Sequence, residues 1–322
     1  MNSVRFVVDM LAGEGIEVKQ VEVVDNNCIH REVAKFKPTH VFIEALWVVP
    51  EKFDVLHALN PEVNWIIRGH SEIPFLAVEG IAMDWCIRYV GKPNVYLASN
   101  SDISVRDLKI AIRAAYSDWT EEEVDAKVVA LPNFYPVRRR RPVDKLQDEY
   151  VDVCCFGAIR PLKNQLIQAL AAIEYADRKG RTLRFHVNGT RCEQGGQNVQ
   201  RNLRALFLHS KHQLIEHGWM HHSEFLECLQ GMDLGMQVSF SETFNIVAAD
   251  MAVTGLPIVT SSEIPWSTEW CQAEPTNSKD IVNKMMRATG VLKAVFQVLN
   301  LRGLRRHGEH SKYKWLQFLR GY

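Results

Sequence analysis

No stretch of about eighteen consecutive apolar residues occurs in the chain, so the sequence predicts no transmembrane helix. The N-terminus has no basic region running into a continuous apolar segment, and no signal peptide is expected. Net charge is missing too, because 38 lysines and arginines balance 38 aspartates and glutamates. That balance leaves no whole-molecule field to draw the chain to nucleic acid or to a membrane surface. The seven cysteines are odd in number and form no CxxC pair, which argues against a disulfide framework and fits a reducing cytoplasm. Neither an HExxH helix nor a Cys/His framework is present. The cluster His209, His212, His217, His221 and His222 therefore does not read as a zinc site, and no metal is expected. Internal repeats and low-complexity segments are absent. What remains is a chain of 322 residues, long enough to bury a large core and to form two domains.

The most informative stretch runs from Ser239 to Trp266. Ser239, Ser241 and Thr243 make a small polar turn around one acid, Glu242. A helical run with Ile246, Val247, Ala249, Asp250 and Val253 follows, stops at Gly255, and gives way to the apolar strand LPIVTS. Loop, helix, loop and strand in that order form one winding unit of an α/β sheet. Glu242 is expected to open the helix, with Asp250 on the same face eight positions later. A helix start at Thr243 offers unpaired N–H groups and a positive dipole end, which suit a phosphate.

This stretch resembles the donor-binding segment of retaining GT-B glycosyltransferases, in particular the family 4 group. The pattern is an acid, seven residues, a second acid, then small-Gly-x-Pro and two hydrophobic residues. Here it reads Glu242, seven residues, Asp250, and Thr254-Gly255-Leu256-Pro257-Ile258-Val259. Asp250 stands where the family usually has glutamate, and its reach is shorter. By this resemblance Glu242 touches the donor sugar and Asp250 the ribose hydroxyls, with Ser241, Thr243, Phe244 and Asn245 lining the donor pocket. Two solvated acids on an amphipathic helix are the bland alternative.

Along the first half, residues 3 to 12 read as a helix ended by Gly13 and Gly15, an unusual start for a doubly wound domain. The first strand and its glycine turn are expected to be missing. EVKQVEVV (17–24) reads as a strand, CIHREVAKFK as a helix, and THVFIEALWVV, NWIIRG and NVYLASN as further strands with helices between them. Such alternation means a parallel sheet with ligands at its carboxyl ends. There the exit loop Arg68-Gly69-His70-Ser71-Glu72 stands out, and His70 is the best candidate in this half for positioning donor or acceptor. Glu44 is a second polar residue in an apolar strand. LPNFYP marks the exit from the first domain, and Arg138, Arg139, Arg140 and Arg141 follow, either a solvated hinge or a phosphate-contacting patch.

In the second half, Tyr150 to Phe156 reads as a buried strand leaving into Gly157-Ala158-Ile159-Arg160-Pro161-Leu162-Lys163. This is similar to the family's strand-glycine-Arg-Lys element, which makes Arg160 and Lys163 holders of the donor diphosphate. Fixed cations there stabilise charge that grows as the sugar bond breaks. Asn188 and Gly189 end another strand, and by the resemblance the nucleobase lies against His217 to Met220. The last segment, Lys293 to Tyr322, is basic, with one acid, Glu309, against seven lysines and arginines.

The expected fold is thus α/β, of GT-B type, with two Rossmann-like domains facing across a cleft. The domains are expected at 1–142, with helix 301–322 packing back on the first, and at 143–300. The resemblance implies a retaining, metal-independent transferase, monomeric or homodimeric, with a UDP- or GDP-sugar as cosubstrate and no bound cofactor. Its acceptor is a saccharide, lipid-linked or small-molecule hydroxyl. The alternative is a hydroxymethylated base in phage DNA, reached through Arg138–Arg141 and the basic C-terminus. A non-catalytic nucleotide-sugar binding module and a sugar-nucleotide epimerase stay open beside these.

Overall fold

Strand–helix alternation builds two wholly parallel sheets. The computed structural model describes residues 2–138 and 149–321, so Arg139, Arg140 and Arg141 lie outside the described residues, while Arg138 is exposed. The chain divides into two compact units, Met1–Phe134 with Gly308–Tyr322, and Tyr135–His307.

Unit one contains α1 (Asn2–Gly13), α2 (Ile29–Phe36), β1 (His40–Glu44), α3 (Lys52–Leu59), β2 (Asn64–Gly69), α4 (Ile73–Leu76), α5 (Ala82–Val90), β3 (Val95–Ser99), α6 (Asp102–Ala115), α7 (Glu121–Lys127) and β4 (Val128–Ala130). The four strands lie in chain order, β1-β2-β3-β4. Local chemistry sets the helix starts. Ser101 Oγ accepts from the Ser104 amide at 3.4 Å to cap α6, and Thr120 with Glu123 forms a capping box on α7. One face of the sheet buries Trp65, Ile67 and Leu97 with Phe53 and Tyr89, and the other buries Ile66 and Ala98. Each fully buried side chain of this size contributes about 1.5–3 kcal/mol.

The strand expected over 17–24 does not form. Val18 packs with one face of the sheet and Val23 with the other, as a strand's side chains would. No backbone ladder joins this segment to β1, and Val24 is 95 % exposed. With α1, α2 and the β1 edge it lines a cavity of about 810 Å³.

Unit two contains β5 (Tyr150–Cys154), α8 (Gln165–Arg178), β6 (Thr182–Asn188), α9 (Gly196–Phe207), β7 (Gln213–His217), α10 (His222–Gln230), β8 (Leu234–Gln237), α11 (Ile246–Thr254), β9 (Ile258–Thr260) and α12 (Ser278–Ala288). Helix α13 (Lys293–Arg320) runs from this unit into unit one, where Ser311 Oγ and Trp315 Nε1 each donate to the Pro132 carbonyl at 2.9 Å. The strand order is β7-β6-β5-β8-β9, so the winding reverses between β5 and β8. Small residues let the layers close: Ala169, Ala172 and Ala176 of α8 are fully buried in the core. A Cβ on Gly235 of β8 would lie 2.5 Å from Met251 Sδ on α11. Helix α11 is apolar almost all round, as a helix sealed into a core must be.

Candidate active site

In an open parallel sheet, ligands bind outside the strand carboxyl ends where the strand order reverses. In unit two that point lies between the loops leaving β5 and β8, and the two loops are laced together. Asn164 Nδ2 donates to the Val238 carbonyl at 3.0 Å, the Phe240 amide to Leu162 O at 2.9 Å, and Gln237 Nε2 to Phe156 O at 2.8 Å. The Val238 amide donates to Gln168 Oε1 at 2.8 Å. This lacing brings Lys163, on the first loop, to Glu242, on the second.

Glu242 is 7 % exposed. Its Oε1 accepts from Ser239 Oγ at 2.9 Å and Asn245 Nδ2 at 2.8 Å, and pairs with Lys163 Nζ. Contrary to the sequence reading, Glu242 does not stand on the helix, and no acid occupies the first turn of α11. The N-cap is Asn245, in the left-handed region at φ 59, with its Oδ1 accepting from the Ala248 amide at 2.9 Å. Asparagine tolerates that backbone better than most residues and caps well, so it overrides Thr243 as the helix start. The exposed amides of α11 accordingly begin near Ile246. Glu242 and Asp250 therefore do not share a helix face. Ser241 is fully buried, and its Oγ has no hydrogen-bond partner among the described residues. A buried hydroxyl without a partner is costly and uncommon. Phe244 is buried, its carbonyl accepting from Trp266 Nε1 at 2.7 Å. Behind the Lys163–Glu242 pair, burial pushes the Cys155 thiol up to about 12, so this sulfur stays protonated.

The remaining residues flank this centre. Arg160 pairs with Glu193 Oε2, and Arg191 Nε donates to Glu193 Oε1 at 2.6 Å. Burial works to raise the Glu193 carboxyl, and the two arginines outweigh it and hold the group below its usual range. Asn188 Oδ1 accepts from the Gly157 amide at 2.7 Å, and the Gly189 amide donates to His217 O at 2.9 Å. Met220 is half-buried. Asp250 is 4 % exposed, and its Oδ1 receives Tyr135 Oη at 2.6 Å and lies 2.8 Å from His222 Nε2. Among the described residues no group of three or more acids, cysteines or histidines is placed to hold a metal ion.

Unit one carries a second polar cluster at its strand ends, centred on Arg68, which is fully buried. Its guanidinium donates to Leu131 O at 2.9 Å, Glu44 Oε2 at 2.9 Å, Asn100 Oδ1 at 2.5 Å and Asn133 Oδ1 at 2.7 Å. Trp315 lies under it, 5.3 Å from ring centroid to Cζ. His70 stands beside this hub, Nε2 2.5 Å from Glu44 Oε2 and Nδ1 3.0 Å from Asn100 Nδ2. An amide nitrogen only donates, so Nδ1 accepts and Nε2 carries the proton toward Glu44. Burial works to raise the Glu44 carboxyl, but Arg68 and His70 together hold it below its ordinary value.

Sequence reasoning found His70 and Glu44 but missed Arg68, Asn100, Asn133, Glu193 and the Tyr135–Asp250–His222 chain. Arg68 carried the same signal as Glu44, a charge at the end of an apolar strand. Glu193 carried none, since it sits in a polar loop.

No family model and no curated protein matches the sequence. Solved structures do match. A UDP-forming α,α-trehalose-phosphate synthase from Burkholderia xenovorans is similar at TM-score 0.69 and 13 % identity over 92 % of this chain and 77 % of its own. A sucrose-phosphate synthase from Thermosynechococcus elongatus is similar at TM-score 0.63 and 13 % identity, over 92 % and 76 %. A trehalose-6-phosphate structure from E. coli bound with UDP-2-fluoro glucose gives TM-score 0.63 and 10 % identity, over 91 % and 76 %. The chain therefore has the GT-B fold, with two Rossmann-like parallel-sheet domains.

Proposed function

We propose that the protein is a glycosyltransferase that moves a sugar from a nucleotide-sugar, a UDP-sugar first among the candidates, to a hydroxyl acceptor. The observation that carries this reading is the Lys163–Glu242 pair at the β5/β8 reversal, where two loops bring a cation and a buried acid together. The similar structures are synthases of sugar phosphates, and one of them is bound with a UDP-sugar analogue. The acid-x7-acid motif and the Arg160/Lys163 loop keep the family 4 resemblance beside that likeness.

In this reading Lys163 and Arg160 take the diphosphate, whose negative charge grows as the sugar bond breaks. Cations fixed in place before that moment stabilise the transition state more than the ground state. Glu242, oriented by Ser239 and Asn245, holds a donor-sugar hydroxyl. Its Oε1 is committed to three donors and Cys155 is protonated, so neither makes a good covalent nucleophile. By the resemblance to retaining enzymes, the acceptor oxygen attacks the face from which the diphosphate departs, the sugar–phosphate bond breaks, and the departing phosphate takes the hydroxyl proton, with configuration retained. His70, its Nε2 2.5 Å from Glu44 Oε2, would then position donor or acceptor.

Release of UDP from UDP-glucose, with and without sugar-phosphate, polyol and hydroxymethylated-DNA acceptors, tests the proposal. Turnover that falls about 10²–10³-fold in Lys163→Ala supports it, a loss of the size seen when one preorganised charge-stabilising donor is removed. Equal turnover in both proteins would remove Lys163 from the chemistry. Acceptor-dependent release with DNA that collapses at higher salt would assign the acceptor to nucleic acid. Interconversion of the donor with no release would make the protein an epimerase.

A further inference from the structure

Arg160 does not present a bare guanidinium to a ligand. Glu193 sits on it, bridging to Arg191. The backbone that carries Glu193 is fastened to the loop that carries Arg160. The Ile159 amide donates to Arg191 O at 2.8 Å, and the Glu193 amide returns to Ile159 O at 3.0 Å. The turn behind it closes through Gly196 N to Glu193 O at 2.9 Å, with Gly195 at φ 85. Gly196 is obligatory there, because a Cβ would lie 1.9 Å from the Ile159 carbonyl oxygen. The two loops are thus tied backbone to backbone, and the half-buried Glu193 side chain bridges two arginines, Arg160 and Arg191.

We propose that Glu193 is an internal competitor for the anion site: its carboxylate occupies Arg160 in the empty protein, and a diphosphate binds only as Glu193 withdraws onto Arg191. The inference rests on the reading that Arg160 and Lys163 receive a diphosphate, and it adds a selectivity that reading does not contain. A ligand must outcompete a tethered carboxylate, so monoanionic and weakly charged ligands are rejected while a diphosphate is accepted. Lys163 obeys the same logic through Glu242, but Glu242 has three donors holding it, whereas among the described residues Glu193 pairs with Arg160 and Arg191 and can swing between them. The apparent affinity for the diphosphate is reduced by the fraction of molecules in which Arg160 is released. Glu193 is in this sense a positioning residue that acts through Arg160.

The test is calorimetric titration of the full chain with UDP, inorganic pyrophosphate and uridine, comparing the unaltered protein with Glu193→Gln and Glu193→Ala. Removing the acid is expected to lower Kd for UDP and pyrophosphate about threefold to tenfold, the reciprocal of the released fraction, and to leave uridine unchanged. In an Arg160→Gln background the same substitution is expected to bring no gain, a coupling that a merely structural role for Glu193 would not produce. UDP binding by the unaltered protein that is equalled or weakened in both Glu193 variants would overturn the inference and leave the diphosphate site standing. If no variant binds any of the three ligands, the diphosphate site itself is wrong, and the inference falls with it. Should Glu193→Gln fail to fold, Glu193→Ala decides alone. Tighter binding through loss of an acid is a direction that simple damage does not give.

Discussion

The charged groups at the strand ends of unit one are gathered into one buried network, whereas those of unit two stand in separate, partly exposed ion pairs. Arg68 is fully buried with four hydrogen bonds, and its acceptors come from three strand ends, those of β1, β3 and β4. Lys163 and Arg160 keep 19 % and 22 % of their side chains exposed, the first ion-paired with Glu242 and the second with Glu193. Topology accounts for the contrast. Unit one winds in chain order, while unit two reverses its winding between β5 and β8, the point at which open parallel sheets bind ligands.

That contrast is sharpened by substitutions that separate stability from binding. Arg68→Ala is expected to have the largest effect, costing about 3–5 kcal/mol in the unfolding of unit one, because the buried Leu131 carbonyl, Asn100 and Asn133 lose their donor and the half-buried Glu44 loses its arginine. Denaturant melts of unit one check this, and nucleotide binding by unit two should survive wherever unit one stays folded. A loss below about 1 kcal/mol would show that the hub is not the buried network described, since surface pairs are worth that little. Next comes Asn245→Ala, which removes the α11 cap and one donor to Glu242. It is expected to cost about 0.5–2 kcal/mol and to weaken donor binding as well, measured by melts and titration on one preparation. Stability lost with binding intact would break the link between cap and site.

The smallest effect is a pH dependence. Glu44 has its carboxyl held below the ordinary 4.5 in the folded chain. The unfolded state therefore binds the proton first as pH falls, so the stabilisation is complete above about pH 4.5 and disappears as pH drops through the folded value. Glu44→Gln should flatten the acid limb of unit one's stability curve. An unchanged limb would mean that other carboxylates set it.

Much of this was legible in the sequence where chemistry and local turn signals coincide. Gly157 to Lys163 and Ser239 to Gly255 are short stretches whose polar loops, glycines and following elements agree with one another, and both fall at the reversal. The alternation of elements needed only periodicity. What was hidden depends on distance along the chain. The partners of Arg68 on its own sheet lie up to 65 residues away, and nothing in NWIIRG says which loops will meet it. Glu193 is anonymous until the Ile159–Cys192 bridge brings its loop to Arg160. The place of Glu242 was misread because Thr243 and Asn245 both look like caps. Only the left-handed backbone at Asn245 chooses between them. The segment 17–24 has a strand's alternation, but its two-faced packing is not completed by a ladder, and periodicity alone cannot report that.

The central claim, that the β5/β8 reversal of unit two holds a nucleoside diphosphate through Lys163, is tested most directly by a thermal-shift panel of UDP, GDP, ADP and their sugars on the unaltered protein and Lys163→Ala. The account predicts a rise in melting temperature with one nucleotide, saturating with concentration and lost in Lys163→Ala. An equal rise in both proteins, or none with any nucleotide, would contradict it.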